Sequence, residues 1–161
     1  MTIDSIDIVP SARAGDRRRA EREAVGELLR RNGLGPLTHD EQGAPHLDGM
    51  FISVSHSREK AVIAFSSDSP LGVDTEPTSP RISRISRIIE RVLTERERQM
   101  PLDPHVRWMA KEAVFKAAAI DDLTIAEITV SPDGMAEARG RNFIWRLAAP
   151  DIVVAFPVRS H

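Results

Sequence analysis

Three ionisable side chains, Lys111, Glu112 and Lys116, stand in the otherwise apolar stretch Trp108–Ala117, and no glycine or proline occurs between Pro104 and Pro132. This composition predicts a helix. On a helical wheel Glu112 and Lys116 share one strip, whereas Lys111 projects from another side. Buried helices rarely carry Lys and Glu unless the two are paired with each other or used at a site. A structural ion pair and a chemical role are both open interpretations of this stretch.

A second ionisable pattern, Asp74 and Glu76, follows a short apolar segment that begins at Leu71. As a strand, this segment places both carboxylates on one face, with their Cα atoms about 6–7 Å apart. Like charges at that distance repel unless a cation lies between them or water screens them. A few carboxylates, together with waters and substrate phosphates, form the ligand set that Mg²⁺ prefers. The pattern fits a magnesium site or a solvated strand end.

Ser55 and His56 begin a polar loop that joins two predicted strands, 51–55 and 61–65. Its hydroxyl, imidazole and guanidinium groups are hydrogen-bond donors, and His56 is suited to donate to a phosphate. The alternative is an ordinary surface turn.

Arginines crowd the first turns of a helix predicted to run from Asp16, as its cap, to Arg31. Cations are unfavourable near a helix N-terminus. The group therefore forms either a solvated face or a clamp for a phosphate or carboxylate. Its members are Arg17, Arg18, Arg19 and Arg22.

The order of the predicted helices and strands that position these residues indicates an α+β protein with small antiparallel sheets. Further strands are predicted at 3–9, 71–76, 123–130, 135–138, 142–147 and 152–158, with two short ones around the Gly43–Pro45 turn. Further helices are predicted at 82–92 and from Asp103 or Pro104 onward, with a short one at 94–97 whose charges form a solvated face. We expect one compact unit of two subdomains, 1–69 and 70–161, each a helix packed on a sheet.

Composition excludes several classes of protein. The 161 residues contain no cysteine, which rules out disulfides and thiolate metal sites and suits a cytoplasmic protein. No apolar run approaches the roughly 18–20 residues of a membrane span. The net charge of −2 gives no case for nucleic acid binding. Only three of the 22 basic residues are lysines, so two of them within one short stretch indicate a specific need.

Three stretches, taken together and in order, resemble the 4′-phosphopantetheinyl transferase superfamily in its surfactin-synthetase-activating form. They are Gly43-Ala44-Pro45 leading to Phe51-Ile52-Ser53-Val54-Ser55-His56-Ser57, then Leu71-Gly72-Val73-Asp74-Thr75-Glu76, then Trp108-Met109-Ala110-Lys111-Glu112-Ala113-Val114-Phe115-Lys116. They match the family patterns G-K-P, F-x-x-S-H-S, (V/I)-G-(V/I)-D-x-E and W-x-x-K-E-(A/S)-x-x-K. Arg22 and Gly26 also fit an R-x-x-x-G spacing in the family's N-terminal half.

The resemblance implies a fold of two pseudo-symmetric subdomains and an Mg²⁺-dependent transfer, in which Mn²⁺ can substitute. Phosphopantetheine moves from coenzyme A to a serine of an apo acyl or peptidyl carrier protein, and adenosine 3′,5′-bisphosphate leaves. It also implies a cytoplasmic enzyme that, with both halves in one chain, works as a monomer.

Roles for single residues follow from the same resemblance. Metal ligands would be Asp74, Glu76 and Glu112, and Glu112 would also be the base for the serine proton. The catalytic group would further include Lys111 and Lys116, which would contact the phosphates. The remaining coenzyme A contacts would be Arg22, Gly43, Pro45, Ser55 and His56.

One departure from the family pattern bears on function. Ala44 stands where the G-K-P lysine is expected, which removes a phosphate contact. A charge-assisted hydrogen bond is worth about 1.5–3 kcal/mol, so coenzyme A affinity would fall unless Arg13, Arg17 or Arg18 compensates. The alternative function is a non-catalytic module of the same fold that binds coenzyme A or a carrier protein.

Overall fold

The computed structural model describes residues 1–8, 14–41, 43–77 and 88–159. The first sheet draws all its strands from residues 2–66. They are β1 (Thr2–Asp7), β4 (Phe51–His56) and β5 (Lys60–Ser66), while β2 (Thr38–His39) and β3 (Pro45–His46) form a separate hairpin. β5 lies between β1 and β4, antiparallel to both. This central position explains its nearly continuous apolar sequence, because both of its faces are covered.

The first helix, α1 (Ala14–Arg31), packs on one face of this sheet through Leu28 and Leu29. It begins before Asp16, which therefore lies in the first turn instead of capping the helix as predicted. Its end is as expected. Gly33 takes a φ of 66°, and the N–H of Leu34 donates to the carbonyl of Leu29 at 2.9 Å, which closes the last turn.

A second sheet is formed by the strands of the C-terminal part. They are β6 (Gly72–Thr75), β7 (Ile128–Val130), β8 (Met135–Ala138), β9 (Arg141–Ala149) and β10 (Ile152–Pro157), in the order β6-β10-β9-β8-β7. All four pairings are antiparallel. Strand β6, which carries Asp74, is at the edge of this sheet, where it also meets the first sheet.

The second helix, α2 (Pro104–Ala118), packs on this sheet. Asp103 caps it as predicted, accepting the N–H groups of His105 at 2.9 Å and Val106 at 3.1 Å. It ends at Ala119, whose φ of 45° is one that favours glycine. Small side chains line the packing face, which lets α2 lie close to the strands; they include Ala110, Ala113 and Ala117.

Two predictions in the connecting segments are only partly testable or wrong. The helix predicted at 82–92 is only partly described: residues 88–92 are helical, and residues 82–87 lie outside the described residues. Val9, the last residue of the first predicted strand, and Arg13 also lie outside them. The segment predicted as a short helix with a solvated face forms a single 3-10 turn, Glu97–Gln99, in which Glu97 is only 1% exposed. A second 3-10 turn, Ile125–Glu127, replaces the start of the predicted strand 123–130.

The elements stack in the order α1, first sheet, second sheet, α2. Val62 and Ala64 of β5 form a buried cluster with Val73 of β6 and Ile152 of β10, so the two sheets meet through apolar side chains. The predicted α+β architecture with antiparallel sheets is confirmed, and the subdomain boundary at 69/70 stays a prediction. No helix among the described residues has the length and apolar character to cross a membrane.

Candidate functional site

Asp74 lies at the centre of the polar groups where the two sheets meet. Its Oδ1 accepts hydrogen bonds from Ser55 Oγ at 2.8 Å and from Lys116 Nζ at 2.9 Å. The side chain of Lys116 also donates to the carbonyl of Val73 at 2.9 Å. The other oxygen, Oδ2, is buried and has no hydrogen-bond partner in the part of the chain that the structure describes. One carboxylate thus gathers groups from β4, β6 and α2 and keeps a free acceptor.

Two further carboxylates, Glu76 and Glu112, lie close enough to Asp74 to respond to its charge. Glu76 follows directly after β6, and the side chain of Trp108 lies close enough to favour its charged form. Glu112 is half-buried on α2, one turn after Trp108. The D-x-E strand and the helix therefore bring the three predicted metal ligands into one neighbourhood.

The pKa values of both glutamates are raised. Burial is the larger cause of the raised pKa of Glu76, and the charge of Asp74 adds to it, while Trp108, His105 and Lys116 oppose the shift. Burial likewise comes first in raising the pKa of Glu112; Asp74 and Glu76 add to it and Lys116 opposes it. The three carboxylates thus lie within range of one another's charge, and Lys116 offsets that charge only in part.

These groups fit a divalent cation in their chemistry. Asp74 Oδ2 is a buried acceptor that no described residue satisfies, and such groups are costly unless a ligand pairs with them. Within the described residues, no three His, Cys, Asp or Glu side chains are close enough together to hold a metal ion. Carboxylates that repel one another have no reason to converge before a cation offsets their charge.

Lys116 does not form the simple helical ion pair that its spacing allows. Its ammonium pairs with Asp74 of β6 at 2.9 Å, and the ion pairs found among the described residues do not include Glu112 with Lys116. The structural interpretation of that i,i+4 pattern is therefore wrong, and Lys116 belongs to the carboxylate cluster.

Lys111 lies elsewhere, which corrects the expectation that it contacts phosphates. Its side chain is 0% exposed and pairs with Glu97 at 2.8 Å on a different side of α2. Burial lowers the pKa of Lys111, and the hydrogen bond from Lys111 to Glu97 opposes this shift. An ammonium enclosed in this way cannot reach a substrate at Asp74.

A groove of about 930 Å³ runs along α1 and contains three of the predicted coenzyme A contacts, Arg22, Pro45 and His56. Its floor is apolar, and Arg18 contributes further positive charge to its rim. His56 Nδ1 lies 3.7 Å from the carboxylate of Glu21. Ser55 and His56 are consecutive on β4, so their side chains lie on opposite faces of the first sheet: His56 lines this groove, and Ser55 contacts Asp74.

A second cleft of about 550 Å³ is lined by Gly43, Ala44 and Lys116. Two exposed aromatic side chains, Phe51 and Phe115, also line it. The Gly43–Pro45 turn is tight, with Gly43 at a φ of 83° and the N–H of Ala44 bonded to the Asp40 carboxylate at 2.8 Å. This turn separates the two openings, and Pro45 lines both.

Sequence reasoning missed residues that complete this neighbourhood. His105 lies near Glu76, and its buried Nε2 has no hydrogen-bond partner among the described residues. Trp108 and His105 stand four and seven residues before Glu112, spacings that put all three on one helix face, and this periodicity is the signal that was available. The local partners of Glu21 and Glu97 are Arg17 and Thr94, whereas the contacts that matter here, with His56 and Lys111, join residues distant in sequence.

A family profile described as the 4′-phosphopantetheinyl transferase superfamily matches residues 70–153, slightly more than half of the chain. The matched region includes Asp74, Glu76, Glu112 and Lys116. No curated protein matches the chain significantly. On this match and the fold, the chain belongs to the 4′-phosphopantetheinyl transferase superfamily.

Proposed function

We propose that the protein transfers 4′-phosphopantetheine from coenzyme A to a serine of an apo acyl or peptidyl carrier protein, depends on Mg²⁺ and releases adenosine 3′,5′-bisphosphate. Membership of the superfamily gives phosphopantetheine transfer in general, with coenzyme A and carrier proteins as the family's substrates. The metal, the product and the residue roles are the parts that we add.

The observation that carries the proposal is the unpartnered Oδ2 of Asp74 beside Glu76 and Glu112, whose pKa values are raised. Asp74, Glu76 and Glu112 would supply oxygen ligands to Mg²⁺, and waters and substrate phosphates would complete the set. Bound there, Mg²⁺ would polarise the pyrophosphate and offset charge on the leaving group.

Glu112 is the proposed general base. Its raised pKa brings the carboxylate nearer to the working pH, where a base that removes a hydroxyl proton is most effective. The serine oxygen of the carrier then forms a bond to the β-phosphorus of coenzyme A. The bond from that phosphorus to the bridging oxygen breaks, and adenosine 3′,5′-bisphosphate carries away the electron pair.

Lys116 is the proposed phosphate contact on α2. Its ammonium already lies at Asp74 Oδ1 and lines the second cleft, so an anion entering there meets a cation held in place. A lysine acts on phosphate as a compact point charge. Ser55 is assigned to orienting Asp74, because its hydroxyl donates to that carboxylate.

The groove along α1 is the proposed binding site for the nucleotide portion of coenzyme A. His56, Arg22 and Pro45 line it, and so does Arg18, which we propose as the replacement for the lysine missing at Ala44. Arg17 is a weaker candidate, since its Nε lies 3.3 Å from the Glu21 carboxylate. Arg13 lies outside the described residues.

The second candidate function is a non-catalytic module that binds coenzyme A or a carrier protein. Ala44 favours it, because its side chain has no charge to offer a phosphate and its N–H and carbonyl are both bonded to Asp40. In this second function the protein keeps its fold, and its affinity for coenzyme A is lower than that of an active transferase.

A direct assay separates the two functions. The protein is incubated with coenzyme A and a panel of apo carrier proteins, with Mg²⁺ or with a chelator, and each carrier is weighed by mass spectrometry. We expect the phosphopantetheine mass on at least one carrier, with Mg²⁺ only. Coenzyme A binding without any mass gain would favour the binding module.

Two finer assignments belong to the same proposal. His56, which lies at the end of β4 and not in the predicted loop, and the Gly43–Pro45 turn support the surfactin-synthetase-activating type, because both lie in the N-terminal half and line the two openings. Since one chain contributes both Ser55 and Asp74, we also expect the monomer to be active.

A further inference from the structure

A buried ionic cluster lies on the side of α2 away from Glu112, and Glu97 is at its centre. Glu97 Oε2 accepts the N–H of Thr94 at 2.8 Å and pairs with Lys111 Nζ at 2.8 Å. Its Oε1 accepts the N–H of Val130 at 2.9 Å and lies 3.6 Å from Arg107. This one carboxylate therefore connects α2, the segment before it and β7.

Lys111 extends the same connection. Its ammonium also donates to the backbone carbonyls of Val92 at 3.1 Å, Ile125 at 3.4 Å and Ile128. Four acceptors from separate segments thus surround a side chain that is 0% exposed. Directional bonds to these fixed points restrain the rotation of α2 about its axis.

The alanines that pack α2 on the second sheet restrain this rotation less than the hydrogen bonds of Lys111 do. Its face against the sheet has four alanines, Ala110, Ala113, Ala117 and Ala118, beside the larger Met109 and Val114. Alanines interlock little with their neighbours, so the directional bonds of Lys111 add a restraint on rotation that this part of the face does not supply.

We propose that Glu97 is a positioning residue, which acts through Lys111 to fix the rotation of α2 that presents Glu112 to the other carboxylates. Glu112 directly follows Lys111, so the two side chains turn together. A rotation of about 20° would move a carboxylate on the outside of the helix by roughly 2 Å. Metal and catalytic groups must be held to within about 0.5 Å.

A role in stability alone does not explain the buried pair of Glu97 and Lys111 as well. Buried ion pairs add little stability, and apolar side chains of similar volume often replace them without loss. The cluster nevertheless uses one of only three lysines in the chain and orients the residue next to Glu112. The inference rests on the proposed metal-dependent function, so its test also measures metal binding in the absence of coenzyme A and carrier.

The main test is the double variant Glu97→Leu/Lys111→Met, which replaces the buried pair by apolar groups. Mn²⁺ affinity is measured by electron paramagnetic resonance titration of the protein alone, and kcat is measured with coenzyme A and a carrier. We expect a melting temperature near that of the wild type, with Mn²⁺ binding weaker by about 10- to 100-fold, as is typical when partners behind metal ligands are lost. We also expect kcat to fall at least about tenfold, while the protein's affinity for adenosine 3′,5′-bisphosphate without metal is unchanged.

Controls make the result specific. Leu28→Ala, a buried change under α1, should lower the melting temperature and leave Mn²⁺ affinity unchanged. If the double variant does not fold, Glu97→Gln is titrated with Mn²⁺ in its place, and weaker binding is again expected. Wild-type Mn²⁺ affinity in the folded variant overturns the inference. Wild-type protein that binds Mn²⁺ but modifies no carrier would count against the proposed function alone.

Discussion

At the scale of single residues, the site depends on how the two oxygens of one carboxylate are used. Asp74 Oδ1 is occupied by Ser55 and Lys116, and Oδ2 is left buried and unpaired. A carboxylate kept only for structure would satisfy both oxygens. Glu76 and Glu112 add negative charge where burial already disfavours it, so this arrangement lowers the stability of the metal-free fold.

The raised pKa of Glu112 predicts a specific dependence of stability on pH. The folded protein holds a proton that the unfolded chain releases near the ordinary value of 4.5. The free energy of unfolding of the wild type in a chelator should therefore fall as pH rises from about that value through the raised folded pKa. Glu112→Gln removes this charge and should be more stable than the wild type at pH 7.

Urea unfolding of both proteins at pH 7 and at pH 4, in chelator, checks this prediction. The advantage of Glu112→Gln should shrink at pH 4, where the wild-type carboxyl is protonated in both states. A variant that is less stable than the wild type at pH 7 would mean that Glu112 is stabilised by partners that its raised pKa does not reflect.

At the scale of elements, the site exists because α2 lies unusually close to β6. A Cβ placed on Gly72 would overlap the carbonyl oxygen of Ala113 and lie 2.7 Å from the backbone N of Ala117. Only glycine permits this approach, and the approach lets Lys116 reach both Val73 and Asp74. The glycine of the D-x-E motif thus sets the distance between helix and strand.

Gly72→Ala should force α2 outward, because backbone atoms cannot move aside as side chains can. We expect a loss of about 1–3 kcal/mol in the free energy of unfolding, typical of an overpacked core. Carrier modification should fall further than this loss of stability explains, since Lys116 and Asp74 separate. Chemical unfolding and the carrier assay measure the two effects.

Gly26→Ala is the matched control for stability. A Cβ at Gly26 meets nothing within 4 Å, so alanine should stabilise α1 by about 0.5–1 kcal/mol through its higher helix propensity. Equal stability of Gly72→Ala and the wild type would show that the helix and strand have room that the structure does not indicate.

The same scale shows why some contacts were predictable and others were not. Local periodicity fixes which residues share a face of a strand or a helix. It therefore predicts that Asp74 and Glu76, two residues apart on a strand, share a face, and likewise Glu112 and Lys116, four residues apart on a helix. The pairing of Lys111 with Glu97 depends on how a 3-10 turn packs on the helix, and no local pattern encodes it. The wheel placed Lys111 on another side of α2 without indicating what lies there.

At the scale of the whole molecule, the site is shared between the two halves of the chain. Ser55 of β4 donates to Asp74 of β6, and Ser53 Oγ accepts the N–H of Val73 at 3.0 Å. Lys60 of β5 pairs with Asp151, before β10, at 2.6 Å. The apolar cluster between the sheets therefore holds together a polar site that neither half contains alone.

A double-mutant cycle tests this coupling. Ser55→Ala, Asp74→Ala and the double variant are unfolded with urea, and we expect a coupling energy of about 1.5–3 kcal/mol, the range for a buried hydrogen bond to a charged group. The exposed pair Arg139–Glu127 is the control cycle and should give about 0.2–1 kcal/mol. If the two substitutions changed the free energy of unfolding additively, the hydrogen bond between Ser55 and Asp74 would contribute nothing to holding the two halves of the chain together.

The central claim is that Asp74 makes this protein a metal-dependent transferase, and Asp74→Asn tests it most directly. The variant keeps the size of the side chain and removes its charge. Wild type and variant are compared in time courses of carrier mass with coenzyme A, at increasing Mg²⁺, after circular dichroism shows that both are folded. We predict modification that rises with Mg²⁺ for the wild type and none for the variant. Equal rates for the two proteins would contradict the account.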